Sequence, residues 1–169
     1  MKINIKKFSK KKKIIIFDFD GVIKDSVEVK GFAFQKLFIK HKNIQEKIIK
    51  YHIQHNGVNR DKKIKKFLEW SGENINKFEV YKKKFSKIVV EEVINSQWIR
   101  GVKKFIYLNR GKQLFLLSAT PHKEIIKILK QLNLKIYFKD IYGFPYKKNK
   151  VVASIIKTTQ QDKDKIFLI

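Results

Sequence analysis

The sequence predicts an α/β protein: a parallel sheet with helices on both faces, interrupted by an all-helical segment. Three observations carry this. Ile14-Ile15-Ile16-Phe17 is an apolar run that ends in acids and a glycine, as a strand buried on both faces does. After residue 98, strand-like and helix-like segments alternate, the order that builds a parallel sheet with helical crossovers. Between residues 26 and 98 no period-two alternation occurs, and apolar residues recur at helical spacing.

Residues 1–13 form a basic lead-in, with Lys10 to Lys13 as a solvated charge run. The first strand is expected over 14–19. Phe34, Leu37 and Phe38 then mark one helical stripe, and Ile44, Ile48, Ile49 and Ile53 the next, with Gly57 suited to a helix end. A short helix with Ile64, Phe67 and Leu68 follows Arg60-Asp61 and is broken at Ser71-Gly72. A long helix carries Phe78, Tyr81, Phe85, Ile88 and Val89.

Val102, Phe105 and Ile106 predict a helix that ends near Gly111. Gln113 to Leu117 predicts a second buried strand stopping at Ser118-Ala119-Thr120-Pro121. There Thr120 suits an N-cap and Pro121 a first helical position. Ile125, Ile126, Leu129 and Leu132 mark the helix that follows. Asp140-Ile141-Tyr142-Gly143 predicts a third strand, Val151, Val152, Ile155 and Ile156 another helix, and Lys165 to Ile169 a fourth strand beside the first.

The 169 residues suffice for one domain with a real core, or a small core plus an insert. The chain has no cysteine, which excludes a disulfide framework and thiolate metal sites. No apolar run approaches the ~20 residues of a membrane span. The basic start followed by Ile14 to Phe17 mimics a signal peptide, but its apolar part is too short and ends in Asp18. A cytoplasmic protein without a membrane partner is expected, with its oligomeric state left open. The net charge of +25 suggests nucleic acid. Yet the excess is nearly all lysine, with arginine only at Arg60, Arg100 and Arg110. Arginine is the residue favoured for bidentate readout. The lysines are scattered among many Ile and Asn, residues of AT-rich codons, so no specific nucleic-acid partner is expected.

The chemistry centres on Asp18 and Asp20. Alternation along a continuing strand would point both carboxylates the same way, at the carboxyl edge where open α/β sheets bind ligands. Two acids there make sense if they hold a metal; as bare structure they repel. Asp20-Gly21 can also be read as a plain turn. A calcium loop of EF-hand type would need an acid or amide at Val22, and a kinase metal loop would need a glycine-rich loop upstream.

Asp18-Phe19-Asp20-Gly21-Val22-Ile23-Lys24-Asp25-Ser26 resembles motif I of the haloacid dehalogenase (HAD) superfamily, in its phosphatase and phosphomutase branch. Ser118 resembles motif II. Gly143-Phe144-Pro145-Tyr146-Lys147-Lys148 resembles the segment of motif III, where spacing after Pro145 favours Lys148, with Lys147 and Lys150 as alternatives. Gly57-Val58-Asn59-Arg60 resembles a loop of β-phosphoglucomutase-like caps.

The resemblance implies a Rossmann-like three-layer core over 1–25 and 99–169 and a helical cap over 26–98. It implies an Asp18 nucleophile, an Asp20 acid/base, and Ser118 and Lys148 on the transferring phosphoryl group. Gly21, Ala119 and Arg60 would bind substrate, and Mg²⁺ would sit on Asp18 and Asp20. The substrate would be a small phosphorylated metabolite, either a phosphoglycolate-like monoester or a hexose phosphate. A phosphomutase and a non-catalytic basic binding protein on the same scaffold are the alternatives. The four histidines, His41, His52, His55 and His122, form no ligand set.

The family's fourth motif puts an acid just after strand four, so the third metal ligand is expected beyond Ile169. Asp162 and Asp164 precede strand four and would lie roughly 16 Å away, at ~3.3 Å per residue. On that expectation the 169 residues alone are a weak Mg²⁺ binder and a poor catalyst, with an open edge at strand four.

Overall fold

The structure is a computed structural model that describes residues 12–55 and 58–169. Lys10 and Lys11 of the basic run, and Gly57 of the cap-like loop, lie outside the described residues. The chain folds as two units. One comprises the described residues through Asp25 together with Gln97–Ile169, the other Ser26–Ser96.

The first unit is built on four parallel strands: β1 Ile14–Phe17, β2 Gln113–Pro121, β3 Asp140–Phe144 and β4 Ile166–Leu168. Their order is β3-β2-β1-β4, with Ile16 opposite both Phe115 and Leu168. All four residues of β1 are fully buried because helices cover both faces of the sheet. Full burial of such side chains contributes about 1.5–3 kcal/mol each. On one face Ile14, Ile16, Phe115 and Leu117 pack against Val151 and Ile155 of helix Lys148–Thr159. On the other, Phe17 meets the rings of Phe105 and Phe138 at 6.0 and 5.6 Å. Phe105 lies on helix Val102–Leu108, and helix His122–Gln131 packs on β2 and β3.

The helical unit contains α1 Val29–Leu37, α2 Gln45–Gln54, α3 Arg60–Ser71 and α4 Phe78–Asn95. The helices of the first unit are accordingly α5 (Val102–Leu108), α6 (His122–Gln131) and α7 (Lys148–Thr159). Rings fill the core of the helical unit. Phe34 stacks on Phe85 at 4.3 Å and meets Phe67 edge-on at 5.2 Å, while Phe38 packs against Phe67 and Tyr81. Among the described residues no helix is long and apolar enough to cross a membrane.

The expected boundaries shift at four places. β1 stops at Phe17, not at residue 19, because the Asp18 carboxylate takes the Phe19 N–H at 2.7 Å. The N–H of Asp18 still bonds the carbonyl of Ile169, just past β4, so Phe19 would be the next rung toward β2, and that rung is withdrawn. β2 does not stop before Ser118 but runs to Pro121, drawn on by pairing with Phe144 across a register shift between Leu117 and Pro121. Thr120 is therefore a strand residue and Pro121 the N-cap, and α6 begins at His122. In α2 the expected stripe fails at Ile53, which is 63% exposed. The neighbouring Tyr51 and His52 rings turn inward instead, onto Phe67 and Phe34. The junction after the helical unit falls at Gln97. There Gln97 to Ile99 run antiparallel to Ile23–Asp25, bonded through Asp25 N to Gln97 O and Ile99 N to Ile23 O.

Candidate active site

The carboxyl ends of β1, β2 and β3 carry the site. Asp18 is the first residue beyond β1, and its two oxygens have different partners. Oδ1 accepts from the Phe19 N–H, and Oδ2 lies 2.5 Å from the Lys148 ammonium, which donates to it. Of the three lysines left open by the sequence, Lys148 makes this contact. It is the first residue of α7, reached from β3 through the cis Phe144–Pro145 peptide. The pair is part exposed, 37% at Asp18 and 47% at Lys148, so incoming anionic substrate can reach it.

The turn after β1 is tight. The Phe19 carbonyl accepts from the N–H groups of Val22, Ile23 and Lys24, and the Gly21 N–H donates to Lys24 O at 2.8 Å. Gly21 adopts φ 75°, a conformation in which a side chain is strained. This turn leaves Asp18 and Asp20 half-buried on either side of a fully buried Phe19. The alternation expected of an extended strand thus survives in burial although the strand has ended.

On β2, Leu116 pairs with Phe17, so Ser118 lies on the neighbouring strand one residue further along than Asp18, and β2 continues past it to Pro121. Ser118 is 2% exposed, and its Oγ accepts from the Thr120 N–H at 3.0 Å. Ser118 does not abut a helix N-terminus, and one N–H of its loop is already satisfied by its own hydroxyl. Ala119 between them is exposed. Gly143 at the end of β3 permits the closest approach in the site: a Cβ there would lie 2.5 Å from Thr120 O and 2.6 Å from His122 Cα.

The profile of the haloacid dehalogenase-like hydrolases matches residues 15–169. The chain belongs to this family. No curated protein matches it at the sequence level. Among solved HAD-like structures, it resembles a protein of Thermotoga maritima assigned as a β-phosphoglucomutase, at 18% identity and a TM-score of 0.71, over 92% of this chain and 74% of that one. A protein of Haemophilus somnus assigned as a phosphoglycolate phosphatase matches at 15% identity and TM-score 0.67, over 94% and 76%. The HAD hydrolase YfnB of Bacillus subtilis, solved with magnesium, matches at 16% identity and TM-score 0.63, over 93% and 77%. At such identities the likeness is one of fold.

The donor chemistry fits a hard cation. Asp18 offers a carboxylate oxygen and Asp20 its backbone carbonyl beside the same strand end, and Mg²⁺ is commonly held by one or two carboxylates, completed by substrate phosphate and water. No cluster of three His, Asp or Glu residues able to hold a metal occurs among the described residues. Asp164 lies in the turn that precedes β4, at the opposite end of that strand from the Asp18 edge, and its carboxylate pairs with Lys165 at 3.0 Å. Hydrogen bonding to Lys165 holds its pKa below the ordinary carboxylate value.

Arg60 is the first residue of α3 in the helical unit, behind the Asn59 side chain, which accepts from the Asp61 N–H. Its Nε lies 3.9 Å from Asp61 Oδ1, and its guanidinium sits over the Phe85 ring at 5.8 Å.

Two features beside the site were missed in the sequence. Lys24 is 1% exposed, its ammonium 4.6 Å from the Trp98 ring centroid, while Lys103 lies over the same ring at 4.0 Å. Burial first, and then the Lys103 charge, push the Lys24 pKa down. Its one signal was a lysine set between Ile23 and Asp25 in motif I. Gly143 signalled itself only as a glycine within a strand, which often marks close backbone approach.

Proposed function

We propose that this chain is a phosphomonoesterase acting on a small phosphorylated metabolite through an aspartyl-phosphate intermediate. The observation that supports the reading best is the Lys148–Asp18 contact at the carboxyl edge of β1, with Ser118 on the adjacent strand. An Asp18 oxygen attacks phosphorus in line; the new P–O bond forms as the bond to the leaving alkoxide breaks. Asp20 gives its proton to that alkoxide, then takes one from the water that cleaves the acyl phosphate and frees Asp18. Lys148 neutralises Asp18 before attack and the phosphoryl oxygens during transfer. Ser118 donates its hydroxyl to a phosphoryl oxygen, with the Gly21 and Ala119 backbones beside it. Asp18 and Asp20 would hold Mg²⁺, which supplies charge screening of the phosphoryl group. The helical unit serves as a cap, and Arg60 binds a distal anion of the substrate, a role assigned on the likeness of its loop.

A phosphomutase is the second reading, favoured by that same loop and by the fold likeness to the Thermotoga protein. Phosphate release from a panel of phosphoglycolate, hexose phosphates and p-nitrophenyl phosphate, at millimolar Mg²⁺, tests both readings. Asp18→Asn is expected to lower turnover by roughly a thousandfold or more, and Arg60→Ala to raise KM for doubly anionic substrates while sparing kcat. Near-normal turnover by Asp18→Asn would remove the nucleophile assignment. Interconversion of hexose phosphates without phosphate release would establish the mutase.

A further inference from the structure

The helical unit carries a second surface that the phosphatase reading does not use. Lys47 and Tyr51 on α2 and His55 at its C-cap stand one turn apart; on α3, Lys62, Lys66 and Trp70 do the same. The two stripes meet. Tyr51 and Trp70 cross edge-on at 5.4 Å, and His55 stacks on Tyr51 at 3.9 Å. Lys47 lies over the Trp70 ring at 4.1 Å, and Lys66 reaches both rings at 5.5 Å. Beneath them Phe67, fully buried, touches Trp70 at 5.3 Å and Tyr51 at 5.9 Å, so the rings are anchored to the core. Beside them opens a groove of about 660 Å³, whose lining combines Tyr51, Val58 and Ile75 with Lys62, Lys65 and Lys66 and with two acids, Glu69 and Glu73. Glu73 is engaged by Lys77 at 2.6 Å and His41 at 3.4 Å.

We propose that this groove binds single-stranded polynucleotide without sequence preference. Lysines along both stripes track the phosphates, and bases stack on the Trp70 ring, displacing the lysine ammoniums that now cover it, and on the Tyr51 ring in place of His55. Aromatic rings anchored in and beside a lysine-bearing groove, Tyr51 within its lining and Trp70 against Tyr51, are the elements that single-strand binding requires. Three lysines, at 62, 65 and 66, line the groove and Lys47 stands beside it over Trp70, against Glu69 and a Glu73 already paired with Lys77 and His41, so the complementarity is to a polyanion. The paired rings select one that carries bases.

The test is fluorescence anisotropy of a labelled mixed-sequence 15-nucleotide single strand, as DNA and as RNA, titrated with the full chain at 150 mM NaCl. A 15-base-pair duplex and heparin serve as competitors. Binding is expected, with Trp70→Leu weakening it about tenfold by loss of one stacked base. Lys66→Gln should lower the slope of log K against log salt by about 0.7. Lys157→Gln, an exposed change on α7, should leave both unaltered. Should Trp70→Leu fail to fold by circular dichroism, the exposed pair Lys62→Gln, Lys65→Gln decides, and an affinity equal to that of Lys157→Gln overturns the site. Full affinity in a folded Trp70→Leu, or competition by heparin or duplex equal to that of the single strand, would reduce the surface to a general polycation.

Discussion

At Gly143 one hydrogen atom in place of a methyl group holds the site together. A Cβ there would meet Thr120 O and His122 Cα and N, all backbone atoms that cannot rotate away. Gly143→Ala must therefore part the end of β3 from the turn after β2, and Lys148 hangs on the segment that moves. Overpacking of this kind costs about 1–3 kcal/mol. For a chain of this length that is a fall in Tm of roughly 2–12 °C. Calorimetry on Gly143→Ala checks it, and an unchanged Tm would mean that the two turns are not in contact. Residue chemistry was read from the sequence unevenly. Asp18 and Asp20 were legible because the motif is local, whereas the spacing after Pro145 favoured Lys148 without deciding it. The buried state of Lys24 was not, since it depends on the returning chain that brings Trp98 against it.

α2 and α3 are joined by a buried polar contact as well as by rings. Lys63, 2% exposed, directs its ammonium to His52 Nδ1 at 3.2 Å and to the His52 carbonyl at 3.4 Å. The ammonium can donate only to a neutral imidazole that carries its proton on Nε2. Burial, and then the charges of Lys63 and Lys30, hold the His52 pKa below its ordinary 6.5. Between that depressed value and 6.5 the unfolded chain binds more protons than the folded one, so stability rises with pH across the window. It is fully present above 6.5 and is lost as pH falls through the folded value. Tm measured from pH 7.5 down to 5.5 should fall, and His52→Gln should flatten the trend. An identical slope in His52→Gln would exclude this contact as its source. Neither partner stood out in the sequence, where His52 and Lys63 sit among polar neighbours. Only the crossing of two helices buries them together.

Over the whole molecule, 40 basic side chains face 15 acidic ones. Such an excess favours the expanded state through self-repulsion. Screening is weak in dilute salt, where the Debye length is about 30 Å, and strong at 0.1 M, where it is about 10 Å. Raising NaCl from 10 to 200 mM is therefore expected to raise Tm, by several degrees in order of magnitude. A flat or falling Tm would mean that local ion pairs such as Lys82–Asp61, at 2.8 Å, outweigh the net repulsion.

The sequence alone determined the parallel sheet, the helical insert and the acids at the end of β1. Each of these depends on interactions within a few residues: an unbroken apolar run, helical periodicity, or a carboxylate beside a turn glycine. Tertiary structure decided where strands end and what surrounds each functional group. β2 passes Ser118 because β3 pairs with it as far as Pro121. Lys148 rather than Lys147 or Lys150 meets Asp18 because β3 and its turn set the start of α7. Those outcomes depend on hydrogen-bond and packing partners far away in the chain. No local pattern encodes them, because the same residues would end a strand or cap a helix in another setting.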